Sequence, residues 1–292
     1  MNALVLINKP VNIRSTQCVA MVKKQLGGYK VGHAGTLDST ASGLLILLTG
    51  KAARLSNFIM SLPKVYRAVI QFGSETDTCD YSGEIINSPG FDNLDEKILL
   101  DSLYNFSGWR MQSPPPISAI KIDGKPAYKL ARSGQNPEMK ARPVFLREIN
   151  IISPYNHESG TIELEISCSK GTYIRSLARD LGKITGSGAH IKSLVRVSTG
   201  NFRIENANEL DDNFKFTHLD ELAKNYNRIR ISERDSKSFL NGMSILLRNC
   251  ERVSQGLAEM NNIICVEGES FIGFGTYAGY DYIKPLVTVM KE

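Results

Sequence analysis

The stretch Gly32-His-Ala-Gly-Thr-Leu-Asp-Ser-Thr-Ala-Ser-Gly43 is followed directly by the apolar run Leu44-Leu-Ile-Leu-Leu48. The first segment has neither a helical nor a strand period and is dense in small and polar residues, which predicts a loop. The second is typical of a strand that is buried on both faces. Because small residues let the backbone approach a ligand closely, Asp38 and, five residues earlier, His33 are candidate catalytic side chains.

Other roles for Asp38 and His33 are also compatible with the sequence of this loop. Asp38 could cap the turn while His33 lies on the surface, or the two could serve an Asp/His hydrolase. A phosphate-binding loop is a weaker alternative, because the Gly-x-x-x-x-Gly-Lys-Ser/Thr motif is absent. We expect no metal site, since the chain has 4 histidines and none are paired at helical spacing.

Apolar runs elsewhere predict further core elements. Residues 3–7 predict a short buried strand, and Ser15 is predicted to cap a helix that buries Val19, Val22 and Leu26. Residues 65–72 and 161–168 predict two more strands. The last of these alternates apolar and polar side chains, so one of its faces is expected to lie against a core.

The sequence Lys170-Gly-Thr-Tyr-Ile-Arg175 lies at a predicted strand-to-helix junction. The helix is predicted to begin near Thr172, because apolar residues repeat at helical spacing before Gly182. Arg175 and Arg179 are one turn apart on the face opposite this apolar stripe. A guanidinium there could bind a carboxylate or phosphate, or it could be a solvated surface group.

Two segments stand apart from this pattern. Residues 113–143 are rich in proline and glycine, which predicts an exposed excursion from the core. Beyond about residue 228, Ser232-x-x-Asp235 predicts the start of a short helix that ends at Asn241-Gly242. Short β-like runs follow, so the end of the chain is expected to form a small β-rich domain of about 60 residues.

The chain has 292 residues, of which 42% are hydrophobic and 22% charged. This composition excludes disordered, collagen-like and disulfide-scaffold proteins. No apolar run approaches the ~20 residues of a membrane-spanning helix, and the N-terminus lacks the features of a secretory signal. We therefore expect a soluble cytoplasmic protein. Its 5 cysteines include no Cys-x-x-Cys pair and are expected to be free, mostly buried thiols.

Several separated motifs occur in the order and spacing of a known enzyme family. Over about residues 3–200 the chain resembles the TruB family of tRNA pseudouridine synthases. The opening Asn8-Lys-Pro and the late Gly188-Ala-His-Ile-Lys-Ser-Leu194 belong to the resemblance. Its main motifs are Gly32-His-Ala-Gly-Thr-Leu-Asp-Ser-Thr-Ala-Ser-Gly43, Lys64-Val-Tyr-Arg67, Gly73-Ser-Glu-Thr-Asp-Thr-Cys-Asp80-x-x-Gly83 and Lys170-Gly-Thr-Tyr-Ile-Arg175-Ser-Leu-Ala-Arg-Asp-Leu-Gly182.

The resemblance implies an α+β fold with a mixed, mainly antiparallel central sheet and flanking helices. Residues 1–228 are expected to form the catalytic domain, with a basic insertion at about 113–147. Residues 229–292 are expected to form a small β-rich domain of the RNA-binding PUA type, to which Phe271-Ile-Gly-Phe-Gly275 is similar.

Members of the family convert uridine-55 in the T loop of tRNA to pseudouridine, by breaking the C1′–N1 bond and reattaching the base through C5. No atoms are added or lost, so the resemblance implies neither a cofactor nor a metal. Asp38 matches the catalytic aspartate, and Arg175 matches the arginine that keeps it ionised. Ser39 and Thr40 replace the family's Pro-Leu, which is expected to loosen the loop and to spare Asp38.

The target uridine must be flipped out of the folded T loop before it can react. Tyr66, on its own typical of a core aromatic, matches the tyrosine that stacks on the flipped base and is a candidate to remove the C5 proton. Leu194 matches an apolar wall of the same pocket, and His33 matches the histidine that fills the vacated space. Asp80 and Tyr173 match members of the surrounding polar network.

The net charge of +5 is concentrated in one segment, because residues 117–147 carry seven basic and two acidic residues. We expect Lys121, Lys125 and Arg142 of this insertion to bind phosphates of the T arm; a solvated loop is the alternative. The implied partner is tRNA, with no membrane, no obligate protein partner and a monomeric state. The second hypothesis is a non-catalytic RNA-binding or tRNA-folding protein on the same scaffold.

Overall fold

The computed structural model describes residues 2–118, 120–122, 124–127, 130, 133, 139–210, 214–256 and 262–289, without the side chains of Lys121 and Pro126. The chain divides into two compact units. The first unit comprises residues 1–63 and 198–292, and the second comprises residues 64–197. The predicted boundary between residues 228 and 229 is not an edge of either unit, and it stays a prediction.

The first unit begins with antiparallel strands around a buried central strand. Its elements are β1 (Leu4–Lys9), α1 (Ser15–Gln25), β2 (Val31–His33), β3 (Ser42–Thr49), a 3-10 helix (Gly50–Leu55) and α2 (Ser56–Ser61). Both β1 and β2 pair antiparallel with β3. All residues of β3 after Ser42 are buried, which confirms the strand predicted at 44–48.

The loop predicted at 32–43 is shorter in the structure. Gly32 and His33 belong to β2, where His33 is paired with Leu47 of β3. The prediction that these residues lack strand structure is wrong, because the adjacent buried strand gives their backbone groups partners that the local sequence does not reveal. The irregular loop spans residues 34–41.

Helix α1 begins at the predicted residue but is not capped as predicted. Ser15 is its first helical residue, and the Ser15 hydroxyl bonds the backbone of Leu37 instead of the helix. The buried residues of α1 are Ser15, Cys18 and Val22. Val19 and Leu26 are half-buried on the same stripe, so the helix buries the predicted face together with Ser15 and Cys18.

The second unit contains one sheet with helices packed against it. Its elements are β4 (Lys64–Phe72), β5 (Glu75–Thr76), β6 (Ile85–Asn87), α3 (Glu96–Phe106), β7 (Gly108–Gln112), β8 (Lys121–Ile122), β9 (Lys125–Pro126), β10 (Arg142–Asn156), β11 (Thr161–Cys168), α4 (Ile174–Thr185) and β12 (Ala189–Thr199). The strand order is β12-β4-β11-β10-β7. The pairs β4–β11, β11–β10 and β10–β7 are antiparallel.

Burial alternates along the middle strands of this sheet. In β11 the even-numbered residues Ile162, Leu164, Ile166 and Cys168 are buried, which confirms the predicted alternation. They share one apolar cluster with residues of β4, α3 and α4. Both helices thus pack against the same face of the sheet, and the opposite face of the strands carries their polar residues.

Helix α4 starts two residues after the predicted Thr172 and continues through Gly182 to Thr185. A Cβ at Gly182 would clash with the backbone nitrogen of Ala189, so this glycine permits close packing of the following chain. Gly186, whose φ of 71° is left-handed, caps the end of the helix.

The remainder of the first unit is mainly β-structure. Its elements are β13 (Phe202–Arg203), a 3-10 helix (Ile204–Asn206), β14 (Phe216–Thr217), α5 (Asp220–Ala223), β15 (Asn227–Arg230), α6 (Glu233–Leu240), β16 (Ile245–Leu246), a 3-10 helix (Leu247–Asn249), β17 (Glu251–Ser254), β18 (Ile263–Glu267), β19 (Phe271–Ala278) and β20 (Tyr282–Thr288). The last six strands form a sheet in the order β16-β20-β19-β18-β15-β17, in which β15 and β18 are parallel. The Ser232 hydroxyl accepts a hydrogen bond from Asp235 N, which confirms the predicted cap of α6.

The C-terminal sheet shares a core with the beginning of the chain. The Phe58 ring of α2 stacks on Phe274 of β19, with centroids 4.2 Å apart. The Tyr226 hydroxyl donates to the Phe58 carbonyl at 2.6 Å. Burial raises the pKa of Tyr226 to about 12, which keeps this hydroxyl protonated as a donor.

The α+β class with mainly antiparallel strands, the parallel pair β15–β18 and flanking helices agrees with the predicted fold. The five cysteines are free, and four of them are buried, as expected. Among the described residues, no helix has the length and apolar character needed to cross a membrane.

Candidate active site

The predicted site residues belong to both units of the chain. His33 and Asp38 lie in the first unit, on β2 and on the loop that follows it. The second unit holds the others, which are Tyr66 on β4, Asp80 on the loop after β5, Tyr173 and Arg175 at the start of α4, Leu194 on β12, and Lys121, Lys125 and Arg142 of the insertion.

The backbone on both sides of Asp38 is fixed, while Asp38 itself is exposed. Leu37 is buried, and its backbone N–H and carbonyl both bond the Ser15 hydroxyl at 3.0 Å. Ser39 accepts a hydrogen bond at its carbonyl from Asn12 N at 2.7 Å. The Asp38 carbonyl accepts from Ala41 N, which closes a turn. The backbone that carries the exposed Asp38 is therefore anchored on both sides.

The guanidinium of Arg175 is buried in the second unit, with 5% of the residue exposed. It donates from Nη1 to the Thr78 carbonyl at 2.8 Å and from Nη2 to the Ile117 carbonyl at 3.0 Å. Its Nε lies 3.9 Å from Oδ2 of Asp80. The interpretation of Arg175 as a solvated residue opposite the apolar stripe is wrong, because distant segments cover the first turn of α4 and supply these acceptors.

The Asp80 carboxylate faces Arg175 with Oδ2 and accepts several hydrogen bonds at its other oxygen, Oδ1. Its Oδ1 accepts hydrogen bonds from the Thr78 hydroxyl at 2.9 Å, the Ser82 hydroxyl at 2.6 Å and Ser82 N at 3.0 Å. The same loop is bonded to β12, since Tyr81 N donates to the carbonyl of Ile191. The structure thus brings together Asp80 and Arg175, two of the residues predicted to act in one polar network.

Tyr173 connects α4 to the strand that precedes the basic insertion. Tyr173 N donates to the side-chain oxygen of Gln112, and the Gln112 amide donates back to the Tyr173 carbonyl, at 2.8 and 3.1 Å. The next carbonyl, that of Ser113, accepts from the Ser176 hydroxyl and from Arg179 Nη2 at 2.8 and 2.9 Å. Four hydrogen bonds therefore join the start of α4 to the beginning of the insertion.

The insertion leaves the sheet at the end of β7 and returns at β10, where Arg142 is paired with Gln112. We predicted that the insertion is an exposed excursion from the core. This prediction is wrong for the beginning of the insertion, because Pro114, Pro115 and Ser118 are buried. Lys125 and Arg142 are exposed, as expected. The side chain of Lys121 and the whole of Lys129 and Arg132, also counted among its basic residues, lie outside the described residues.

Tyr66 and Leu194 are both half-buried and pack against the apolar cluster of the second unit. Tyr66 faces this cluster because it lies on the same side of β4 as the buried Ala68 and Ile70. Each side chain thus has one surface fixed by the core and one surface left accessible. That arrangement suits residues that contact a flat ring.

Sequence reasoning missed Lys64 and Arg196, two cations that are only 6% and 2% exposed. Burial, reinforced by repulsion from Arg196 and Lys170, lowers the pKa of Lys64 to about 7. The alternation of side chains along β4 could have predicted the burial of Lys64, because it places Lys64 on the buried side of the strand together with Tyr66.

The comparisons with known proteins agree with one family. The model described as "TruB family pseudouridylate synthase (N terminal domain)" matches residues 23–174. The tRNA pseudouridine synthase B of Aquifex aeolicus (strain VF5) is 36% identical over 287 residues, covering 96% of each chain. That of Clostridium tetani (strain Massachusetts / E88) is 35% identical over 299 residues, covering 98% of this chain and 100% of the relative.

Solved structures with the same fold are more distant in sequence. "Crystal Structure of a Cbf5-Nop10-Gar1 Complex" matches with a TM-score of 0.75 at 19% identity, over 98% of this chain and 84% of the other. "Structure of H/ACA RNP bound to a substrate RNA containing 2'-deoxyuridine" matches with a TM-score of 0.73 at 17% identity, over 99% and 85%. At these identities the two matches establish the fold, which is the predicted one.

The lowered pKa of Lys64 predicts a pH dependence of stability. Between pH 7 and 10.5 the unfolded chain keeps a proton that folded Lys64 has lost, so the free energy of unfolding rises with pH. The contribution is up to about 1.4 kcal/mol per pH unit. In denaturant titrations at pH 7, 8 and 9, Lys64→Met should flatten this rise. The exposed Lys192→Met should retain it, and equal slopes in the two variants would contradict the assignment.

The acceptors around Arg175 predict a large loss of stability when the guanidinium is removed. Arg175→Met leaves two carbonyls and the Asp80 carboxylate without their cation, so the free energy of unfolding should fall by about 3 kcal/mol or more. The matched control is Arg67→Met, which breaks an exposed ion pair of 3.0 Å with Glu165. It should cost at most about 1 kcal/mol. Equal losses in urea unfolding would show that burial of Arg175 is energetically unimportant.

Proposed function

Because the chain belongs to the TruB family of pseudouridylate synthases, we propose that it isomerises uridine-55 in the T loop of tRNA to pseudouridine. The observation that carries this proposal is the similarity, along nearly the full length of both chains, to proteins named tRNA pseudouridine synthase B. The reaction breaks the bond between C1′ and N1 and forms one between C1′ and C5. C5 loses its proton and N1 gains one, so no co-reactant is consumed.

Asp38 starts this reaction by acting on the sugar or base of the flipped nucleotide, through attack on C1′, addition to the pyrimidine ring or removal of a sugar proton. The support is the loop geometry, since an exposed carboxylate on an anchored backbone can meet an incoming nucleotide without a large rearrangement. Burial of Leu37 and the bonds of Ser15 and Asn12 hold that backbone. The same anchors compensate for the missing proline of the loop, where Ser39 follows Asp38.

Tyr66 and Leu194 form the surface that receives the base. Flipping the uridine out of the T loop costs a few kcal/mol, which stacking on an aromatic ring offsets. The tyrosine is suited to this task because the core fixes one of its surfaces. Its hydroxyl is the candidate base for the C5 proton. His33 takes the space that the uridine leaves in the loop.

Arg175 has the electrostatic role that the family resemblance gives it, which is to favour the ionised form of the catalytic carboxylate. Asp80 and Tyr173 are positioning residues. Asp80 holds the guanidinium from the side of Nε, and the backbone of Tyr173 fixes the first turn of α4. A guanidinium fixed in advance stabilises charge without reorganisation during the reaction.

The basic insertion binds the T arm through Lys121, Lys125 and Arg142. Its support is charge, since residues 117–147 contain an excess of five basic residues. The protein works as a cytoplasmic monomer without an obligate protein partner. The C-terminal sheet is a PUA-type domain with a minor share in RNA binding, because residues 201–292 carry three more acidic than basic residues.

Replacing the catalytic carboxylate separates catalysis from binding. Asp38→Asn should abolish pseudouridine formation at position 55 of an unmodified tRNA transcript, while its affinity for the transcript stays within about tenfold. The matched control is Asp101→Asn at an exposed position of helix α3, which should retain full activity. Activity retained in Asp38→Asn would contradict the assigned role.

Neutralising the insertion should weaken tRNA binding and reduce its salt dependence. Each phosphate contact contributes about 0.7 to 0.9 to the slope of log K against log salt concentration. Replacing Lys121, Lys125 and Arg142 by Gln should therefore lower the slope by about 2 to 3 in a binding titration. The control removes three exposed charges elsewhere, at Lys215, Arg248 and Lys284. An equal change of slope in both triple variants would refute a role specific to the insertion.

A further inference from the structure

The edge of the sheet in the second unit carries an aromatic surface that the proposed chemistry does not use. β7 is the last strand of this sheet in the described part of the chain. Its side chains alternate, so that Gln112 is buried while Trp109 and Met111 face solvent. Trp109, the chain's single tryptophan, is 73% exposed. A residue with so much exposed apolar area contributes little to the core.

The indole is held in place although it is exposed. Trp109 is paired with Phe145 of β10, and the two rings have centroids 5.3 Å apart. Phe145 is itself fixed by Ser169, whose hydroxyl accepts from Phe145 N at 2.9 Å and whose N–H donates to the Phe145 carbonyl at 2.8 Å. Trp109 and Phe145 thus form an aromatic platform with one supported side and one open side.

The chain segment around Phe145 carries more basic than acidic residues. From residue 140 to residue 148 the exposed charged residues are Lys140, Arg142, Arg147 and Glu148. On the neighbouring strand β11, Glu165 is paired with Arg67 and Glu163 accepts from the Ser153 hydroxyl. The platform also lies at the root of the basic insertion, which starts directly after β7.

Exposed aromatic rings beside guanidinium groups are the combination that binds unpaired nucleotides, because the ring stacks on the base and the cations pair with phosphates. We propose that the aromatic platform stacks an unpaired nucleobase of the tRNA other than the target uridine, with Arg147 at an adjacent phosphate. This inference rests on the proposed function and adds a second point of contact with the same substrate.

The position of the aromatic platform would let this contact position the RNA relative to helix α4. β7 ends at Gln112, which bonds both backbone groups of Tyr173 at the start of α4. A base stacked on Trp109 is therefore held at a fixed distance from the helix that carries Arg175. Such a contact helps to set the register of the RNA before the target uridine is flipped.

The single tryptophan allows a direct test. Titrating unmodified tRNA transcript into Asp38→Asn protein should quench the tryptophan emission with the same dissociation constant as a filter-binding assay. In that assay Trp109→Ala should weaken binding about tenfold, and Trp109→Phe should weaken it less. The control Tyr104→Ala removes an aromatic residue of helix α3 that is 83% exposed, and it should bind as tightly as the parent.

Unchanged emission at saturating tRNA, or parental affinity in Trp109→Ala, would overturn the inference. It would also be overturned by concentration-dependent self-association in sedimentation that Trp109→Ala abolishes, because the platform would then bind a second copy of the chain. Pseudouridine formation by the unaltered protein is measured on the same transcript. If pseudouridine forms and Trp109 has no effect on binding, only the platform assignment fails; if none forms, the proposed function fails as well.

Discussion

Burial of the Arg175 guanidinium is the constraint on which the second unit depends. A charge with so little exposure needs acceptors, and it finds them in the carbonyls of Thr78 and Ile117 and in the carboxylate of Asp80. These acceptors come from two segments that are far from α4 in sequence. The loop after β5, the residues that follow β7 and the first turn of α4 therefore stabilise one another. The proposed chemistry relies on these three segments being held together around one guanidinium.

The sequence predicted those features whose causes are local. The alternation of β11 and the cap at Ser232 are examples, because neighbouring residues are enough to specify them. The burial of Arg175 and the packing role of Gly182 were not predicted, because their causes are distant. Gly182 is required by the backbone of Ala189, and Arg175 is buried by carbonyls from other segments. Helical periodicity alone left Arg175 open between a binding group and a solvated group, and it contains no information about the partners of either residue.

The resemblance supplied the roles of the predicted candidate residues, and the structure gives physical reasons why they suit those proposed roles. Asp38 is exposed on an anchored loop, and Tyr66 has one surface fixed by the core. Lys64 was overlooked because a lysine at the start of a strand is ordinarily assigned to the surface. The shared core of Phe58 and Phe274 was equally hidden, since nothing in either local pattern indicates that residues more than two hundred positions apart are packed together.

The central claim is that this chain isomerises one uridine of tRNA. The most direct test of this claim is to measure the release of the C5 hydrogen from uridine. A tRNA transcript labelled with tritium at C5 of its uridines is incubated with excess protein until release stops. The account predicts one tritium released per tRNA, and none from a transcript with cytidine at position 55. Release of several tritium atoms per tRNA, or of one from the cytidine-55 transcript, would contradict it.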